Sequence, residues 1–247
     1  MRLTVIGSGD AFGSGGRHNT CFHLVAGERT VLVDCGASAP VALRAMNIDP
    51  NTIDAVILSH LHGDHFGGVP FLMLDGQFLS RRERPITFAG PPGTRDRISA
   101  AMEVFYPNST KTKYRFPWSV QEIAVGAPAD VLGLKVTSTE VIHSSGAPST
   151  ALRIGDGTKT FAYSGDTQWT DALLTVASGA DLFIVECYDY DRELTGHMNW
   201  ALLKQRLPDF KARRVMLTHM NPSMLSRVEE ARAAGVLVAE DRLVLDL

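Results

Sequence analysis

Residues 59–68 read SHLHGDHFGG and follow the apolar run AVIL at 55–58. His60 and His62 stand two apart, so an extended backbone turns both imidazoles to one side. Gly63 permits a sharp turn, which puts Asp64 and His65 at the start of a helical stretch expected from Asp64 through Leu79. One loop thus offers four metal-ligating side chains in two groups. At the end of a buried strand four such groups are costly unless they share a partner, so the cluster reads as a metal site rather than a polar turn with incidental histidines.

A zinc ion takes about four donors, and two ions need more than this loop supplies. The chain has eight histidines: His18, His23, His60, His62, His65, His143, His197 and His219. His143 closes the β-type segment KVTSTEVI, His219 closes RVMLT, and Asp166 closes TFAYSG. Each is a ligand-capable residue at the carboxyl end of an expected strand, where α/β architectures gather their sites.

The rest of the chain frames these positions. RLTVI (2–6), CFHLVAG (21–27) and TVLVDCG (30–36) read as an N-terminal meander, followed by a helix at APVALRAM, a strand at ITFAG (86–90) and a helix at TRDRISAAMEVFY (94–106). PNSTKTKYRFPW (107–118) reads as a loop. Further β-type segments at 118–125, 131–142, 149–154 and 159–163 precede a second alternation of strands and helices: ALLTVAS, DLFIVEC, NWALLKQRL, RVMLTH and MLSRVEEARAAG. Two β-rich stretches, each followed by α/β alternation, predict two similar halves whose sheets face one another with helices outside.

With 247 residues and 45% hydrophobic content, one domain spanning 1–247 is expected. Lys plus Arg number 24 against 27 Asp plus Glu, a net charge of −3, so the chain lacks the basic surplus that draws proteins onto nucleic acid. Cys21, Cys35 and Cys187 form no C-x-x-C pair and are odd in number, which fits a reducing compartment and buried, small apolar roles. MRLTVIGSGD lacks the features of a signal peptide, and no apolar run is long enough to span a membrane. A soluble, cytoplasmic protein without membrane partners is expected; a homodimer is one candidate assembly, which the sequence alone does not decide.

The ordered set HLHGDH (60–65), His143, YSGDT (163–167) and LTH (217–219) is similar to that of the metallo-β-lactamase superfamily, and the similarity runs from TVIGSGDAFG to LTHMN. The resemblance implies an α/β fold of the four-layer αββα sandwich type with a dinuclear site. It implies that His60, His62 and His143 hold one ion, that Asp64, His65 and His219 hold the other, and that Asp166 bridges them. Such donors suit zinc, with manganese or iron as alternatives. Oxygen-reducing di-iron relatives place a glutamate where this chain has His62, so the chain looks like a hydrolase. Asp34, in VLVDCG, is similar to a family residue behind the metals that orients a ligand histidine, a role that fixes an imidazole tautomer; a plain strand-end aspartate is the other reading.

A two-metal core of this kind serves phosphodiesters, thioesters, lactones and β-lactams alike. His197, in LTGHMNWALL, forms a Gly-His step opening an expected helix downstream of the strand end FIVEC. This resembles ribonuclease Z and related small bacterial phosphodiesterases, where a strand-end glutamate and such a histidine work together. By resemblance Glu186 orients His197, and His197 steadies the phosphoryl oxygens or protonates the leaving alkoxide. Residues 144–165 leave no room for the long tRNA-gripping arm of ribonuclease Z, which favours a smaller phosphodiester, and VECYD departs from that family's His-Glu-Ala-Thr.

The expected function is therefore a dinuclear metal-dependent hydrolase: a phosphodiesterase on a small or nucleotide-like phosphodiester, with a metal-bridging hydroxide as nucleophile and Asp64 holding it in line. A thioesterase or lactonase, a tRNA 3′-processing endonuclease, and a nucleic-acid-binding protein with structural metals are the rival readings. GSGDAFG (7–13) has the wrong spacing and context for a dinucleotide turn and is expected to form a flexible loop at the rim of the site, where Arg17, His18 and Asn19 are candidate phosphate contacts. Lys111, Lys113, Tyr114, Arg115 and Trp118 form a candidate substrate loop. RRER (81–84) and KARR (211–214) read as solvated helix ends.

Overall fold

The computed structural model describes residues 1–247, arranged as two seven-stranded mixed sheets with helices on their outer faces. The first sheet contains β1 (Arg2–Gly7), β2 (Cys21–Ala26), β3 (Arg29–Val33), β4 (Ala55–Ile57), β5 (Ile86–Gly90) and β6 (Trp118–Glu122). Its helices are α1 (Ala39–Ala45), α2 (Gly63–Phe66), α3 (Val69–Phe78) and α4 (Thr94–Phe105). The second sheet contains β7 (Pro128–Val131), β8 (Leu134–Glu140), β9 (Thr150–Gly155), β10 (Thr160–Tyr163), β11 (Leu182–Glu186), β12 (Val215–Thr218) and β13 (Leu237–Val238). It carries α5 (Ala172–Ala177), α6 (Trp200–Arg206), α7 (Pro222–Leu225) and α8 (Val228–Ala233). The last strand, β14 (Val244–Asp246), crosses back to pair with β1, a closure the sequence pattern does not announce.

Each sheet pairs antiparallel through its first strands and parallel through its last, the same plan twice, as two similar halves require. The strands are apolar on both faces. In β3, Val31 and Val33 point into the core between the sheets, whereas Leu32 joins the core beneath α1, α3 and α4. In β11, Leu182 and Ile184 face inward and Phe183 and Val185 face the outer helices. Three cores between four layers follow from that alternation, and each fully buried Leu or Phe contributes on the order of 1.5–3 kcal/mol.

The helix expected over Asp64–Leu79 is two helices, α2 and α3, broken at Gly67–Gly68. A Cβ on Gly68 would lie 2.4 Å from Gly36 O and 2.9 Å from Cys35 O, and Gly68 N donates to Cys35 O at 2.8 Å. The chain is pulled against β3's end there, which outweighs the helical pattern. Likewise the segment 131–142 is a hairpin turn at Leu132–Gly133 followed by β8, not one strand. All three cysteines are buried and unpaired.

RRER, just past the end of α3, is solvated at Arg81, Glu83 and Arg84 but not at Arg82. Arg82 is 3% exposed and donates to the carbonyls of Arg84, Pro50, Ile53 and Pro85, fastening the α3 exit to the start of β4 and β5. No helix is long and apolar enough to cross a membrane.

Candidate metal centre

The carboxyl ends of β3, β4, β8, β10, β11 and β12 meet at one edge of the sandwich and deliver Asp34, the 59–65 loop, His143, Asp166, Glu186 and His219. The donor atoms of His60, His62 and His143 lie within 4.8 Å of one another, as do those of Asp64, His65, Asp166 and His219. All seven side chains named from the sequence are thus brought together in two groups.

Donors held about 2.0–2.2 Å from one zinc in a tetrahedron lie roughly 3.3–3.6 Å apart. His65 Nε2 lies 3.2 Å from Asp64 Oδ2 and 3.3 Å from Asp166 Oδ2, and His219 Nε2 lies 3.1 Å and 3.4 Å from the same two oxygens. In the other group His143 Nε2 is 3.0 Å from His62 Nδ1, and Asp166 Oδ2 is 3.9 Å from His60 Nε2 and 4.0 Å from His143 Nε2. Asp166 Oδ2 therefore faces both groups. The buried His60 Nε2, His65 Nε2 and Asp166 Oδ1 find no hydrogen-bond partner in the protein, an expensive state that bound cations relieve. The residues present fit divalent metal ions.

The opposite ring nitrogens are held from behind. His65 Nδ1 donates to Asp34 Oδ2 at 2.7 Å, and Asp34 also accepts from Ser59 N and Ser59 Oγ, both at 2.7 Å. Ser59 Oγ lies 3.1 Å from His60 Nδ1, so one buried carboxylate steadies a histidine of each group. His143 Nδ1 donates to Gly196 O at 2.9 Å, and a Cβ at Gly196 (φ +81°) would sit 2.9 Å from that nitrogen, so glycine is required. Asp34 and His219 have φ of 57° and 61°, left-handed backbone that non-glycine residues adopt at a cost and that clusters at functional sites.

Electrostatics follow this packing. Burial opposes charge on His65 and His219, but the surrounding carboxylates overcome it, raising both, His219 to about 9. Burial also resists ionisation of Asp64 and Asp166, yet the histidines hold both carboxyls well below the usual range. His60 and His143, dominated by burial, are pushed down toward the neutral form that ligates metal.

A second assembly adjoins the first. Glu186 is fully buried, and its carboxylate accepts from His197 Nδ1 at 3.0 Å, Thr167 N at 2.7 Å and Met198 N at 3.2 Å. Burial raises the Glu186 carboxyl; for His197 burial works against the cation, but the Glu186 contact prevails and raises it. Donor atoms of His143, Asp166 and His197 also fall within 4.8 Å of one another, and His197 lines a cavity of about 420 Å³ shared with His62, Asp64, His143, Asp166 and His219.

A family model described as Anti-Pycsar protein Apyc1 matches residues 1–242 of this chain. The chain belongs to the Anti-Pycsar protein Apyc1 family. An Anti-Pycsar protein Apyc1 from Paenibacillus sp. (strain J14) is 31% identical over 184 residues, 70% of each protein. The probable metallo-hydrolase YhfI of Bacillus subtilis (strain 168) is 28% identical over 226 residues, 89% of this chain and 87% of YhfI. A crystal structure of YhfI, a metallo-β-lactamase fold protein, superposes with a TM-score of 0.79 at 24% identity, covering 99% of both chains. Human tRNase Z, short form, superposes at 0.78 with 25% identity over 100% of this chain and 99% of its own. This member of the Apyc1 family therefore has the metallo-β-lactamase fold and falls in the metallo-hydrolase superfamily.

In this Apyc1-family chain His197 does not open a helix. It precedes α6 by three residues, and Asn199, accepting from Leu202 N at 2.9 Å, is the cap. The 107–118 segment packs away from the metal cavity: Phe116 is buried with Tyr114 edge-on to it, Trp118 packs on Tyr114, and none of Lys111, Lys113, Tyr114, Arg115 or Trp118 lines the cavity. The glycine-rich rim loop is tied down rather than loose. Arg17 Nη1 donates to Ala239 O and Ser8 Oγ, His18 N to Asp241 Oδ2 at 2.8 Å, and Asn19 Nδ2 to Asp10 O at 2.9 Å, so these three residues anchor the loop, and none of them lines the metal cavity. Sequence reasoning missed Ser59 and Gly196. The only trace of either was its place beside a ligand or a site histidine.

Proposed function

We propose that the chain is a dinuclear, zinc-dependent phosphodiesterase acting on a small or nucleotide-like phosphodiester. The observation that carries this reading is His197, held by buried Glu186 in the lining of a cavity that it shares with Asp166 and with members of both donor groups. His60, His62 and His143 would hold one ion and Asp64, His65 and His219 the other, with Asp166 placed between the two groups to serve both. When bound, such a pair supplies an acidified water and positive charge for the phosphoryl oxygens.

The chain's own residues do the rest. Asp64, mostly buried but reaching the cavity wall, orients the attacking water. His197 keeps its Nδ1 on Glu186, which leaves Nε2 to deliver a proton to the departing alkoxide. Thioester and lactone cleavage have no such requirement for His197. The hairpin β9–β10, which fills most of the interval between His143 and Asp166, and the net charge of −3 support a small substrate over tRNA.

A panel of cyclic nucleotides, dinucleotides, a precursor tRNA and a thioester, assayed on the zinc-loaded chain, tests the reading. Turnover confined to the small phosphodiesters is expected; turnover of the thioester or of the tRNA alone would replace it.

A further inference from the structure

The side chain of Phe12 is 80% exposed, yet it lines the same cavity as the clustered histidines. Exposed phenyl rings on loop tips are ordinarily swept about by solvent; this one has a fixed base. The buried Asp10 carboxylate accepts from Phe12 N at 3.1 Å, Ser14 N at 3.0 Å and Ser14 Oγ at 2.7 Å, and Asp10 O accepts from Asn19 Nδ2. Together with the anchors at Arg17 and His18, these bonds set the direction of the Phe12 backbone. The metal fit and the proton delivery make no use of the ring.

The same cavity also presents Tyr188, whose ring lies 4.9 Å from that of His197 at an interplanar angle of 33°, and the apolar Leu194. Beside its ligating histidines and carboxylates the cavity thus has an aromatic and apolar part that metals and phosphoryl oxygens do not fill. Its volume of about 420 Å³ lies within the ordinary range for small-molecule sites.

We propose that Phe12 is a specificity-determining residue: its ring is a stacking platform for a planar heteroaromatic group carried by the substrate, the phosphoryl group lying at the metal cluster. The proposal rests on the phosphodiesterase reading only in where it puts the phosphoryl group. An aromatic face is sequence-tolerant toward heterocycles, because every base has a π-face, and it gains area and dispersion on being covered.

Calorimetric titration of the zinc-loaded chain with adenosine 5′-monophosphate and with ribose 5-phosphate isolates the ring, since the two share sugar and phosphate. The wild-type chain is expected to bind the nucleotide roughly tenfold more tightly than the sugar phosphate. Phe12→Ala is expected to remove about that factor for the nucleotide and leave the sugar phosphate unchanged. Phe12→Trp keeps the preference, and Phe12→Leu, apolar but without a ring, does not. Equal affinities in the wild type, an equal loss for both ligands in Phe12→Ala, or full nucleotide affinity in Phe12→Leu would each overturn the platform.

Hydrolysis of bis(p-nitrophenyl) phosphate by the same samples separates the two readings. Base-selective binding without turnover removes the phosphodiesterase and leaves the platform; turnover without base selectivity does the reverse.

Discussion

His197 Nδ1 donates to Glu186 Oε1 across 3.0 Å, and the same oxygen accepts the backbone N–H of Thr167, the residue after Asp166. One buried carboxylate therefore sets the position of the proposed proton donor relative to Asp166, the carboxylate proposed to serve both donor groups. Replacing His197 with alanine removes the donor without touching a proposed ligand. Turnover of a phosphodiester with an alkoxide leaving group should fall by about 10²–10⁴, with zinc content unchanged by elemental analysis. Undiminished turnover would assign His197 a structural role.

The pH profile reports the same pair. Because Glu186 raises His197, the proton-bearing form persists above the ordinary histidine range and is lost as pH rises through the raised value. Glu186→Gln takes away the carboxylate, so His197 should titrate lower and the alkaline limb of kcat should move to lower pH. A limb that stays in place would mean that another group sets it.

Asp34 sits behind the ligands, bonded to His65 directly and to His60 through Ser59. Asp34→Asn keeps the volume and a residue type tolerant of left-handed backbone, but weakens the acceptor that fixes both rings. Zinc affinity measured by chelator competition should drop by about 10–100-fold, while the thermal transition of the metal-free chain moves little. Unaltered affinity would reduce Asp34 to a turn residue.

Arg82 satisfies four carbonyls from inside the fold. Arg82→Met preserves the packing of the stem and leaves those acceptors dry, so a loss of about 2–4 kcal/mol in denaturant unfolding is expected, with metal binding intact. A change below about 0.5 kcal/mol would show that water replaces the guanidinium.

The two facing sheets were legible in doubly apolar strands such as 55–58 and the candidate donors in ligand-type residues at the strand ends, whereas the four-layer fold and the sorting of those donors into two groups were implied by the family resemblance. What escaped was set by backbone approach. The break at Gly67–Gly68 comes from contact with Cys35 and Gly36, and the support of His143 comes from Gly196, 53 positions away. Arg82 looked solvated because its run is charged, although its partners are carbonyls, which leave no signature in side-chain chemistry. The rim loop looked flexible because it is glycine-rich, yet its hold depends on Asp241, far along the chain.

The most direct test of the central claim is a zinc titration of the chelator-stripped chain, read as hydrolysis of bis(p-nitrophenyl) phosphate against zinc bound per chain. Activity that is absent without metal and saturates at two ions per chain is predicted. Turnover that survives complete stripping, or a chain that takes up two ions and leaves the diester intact, would contradict it.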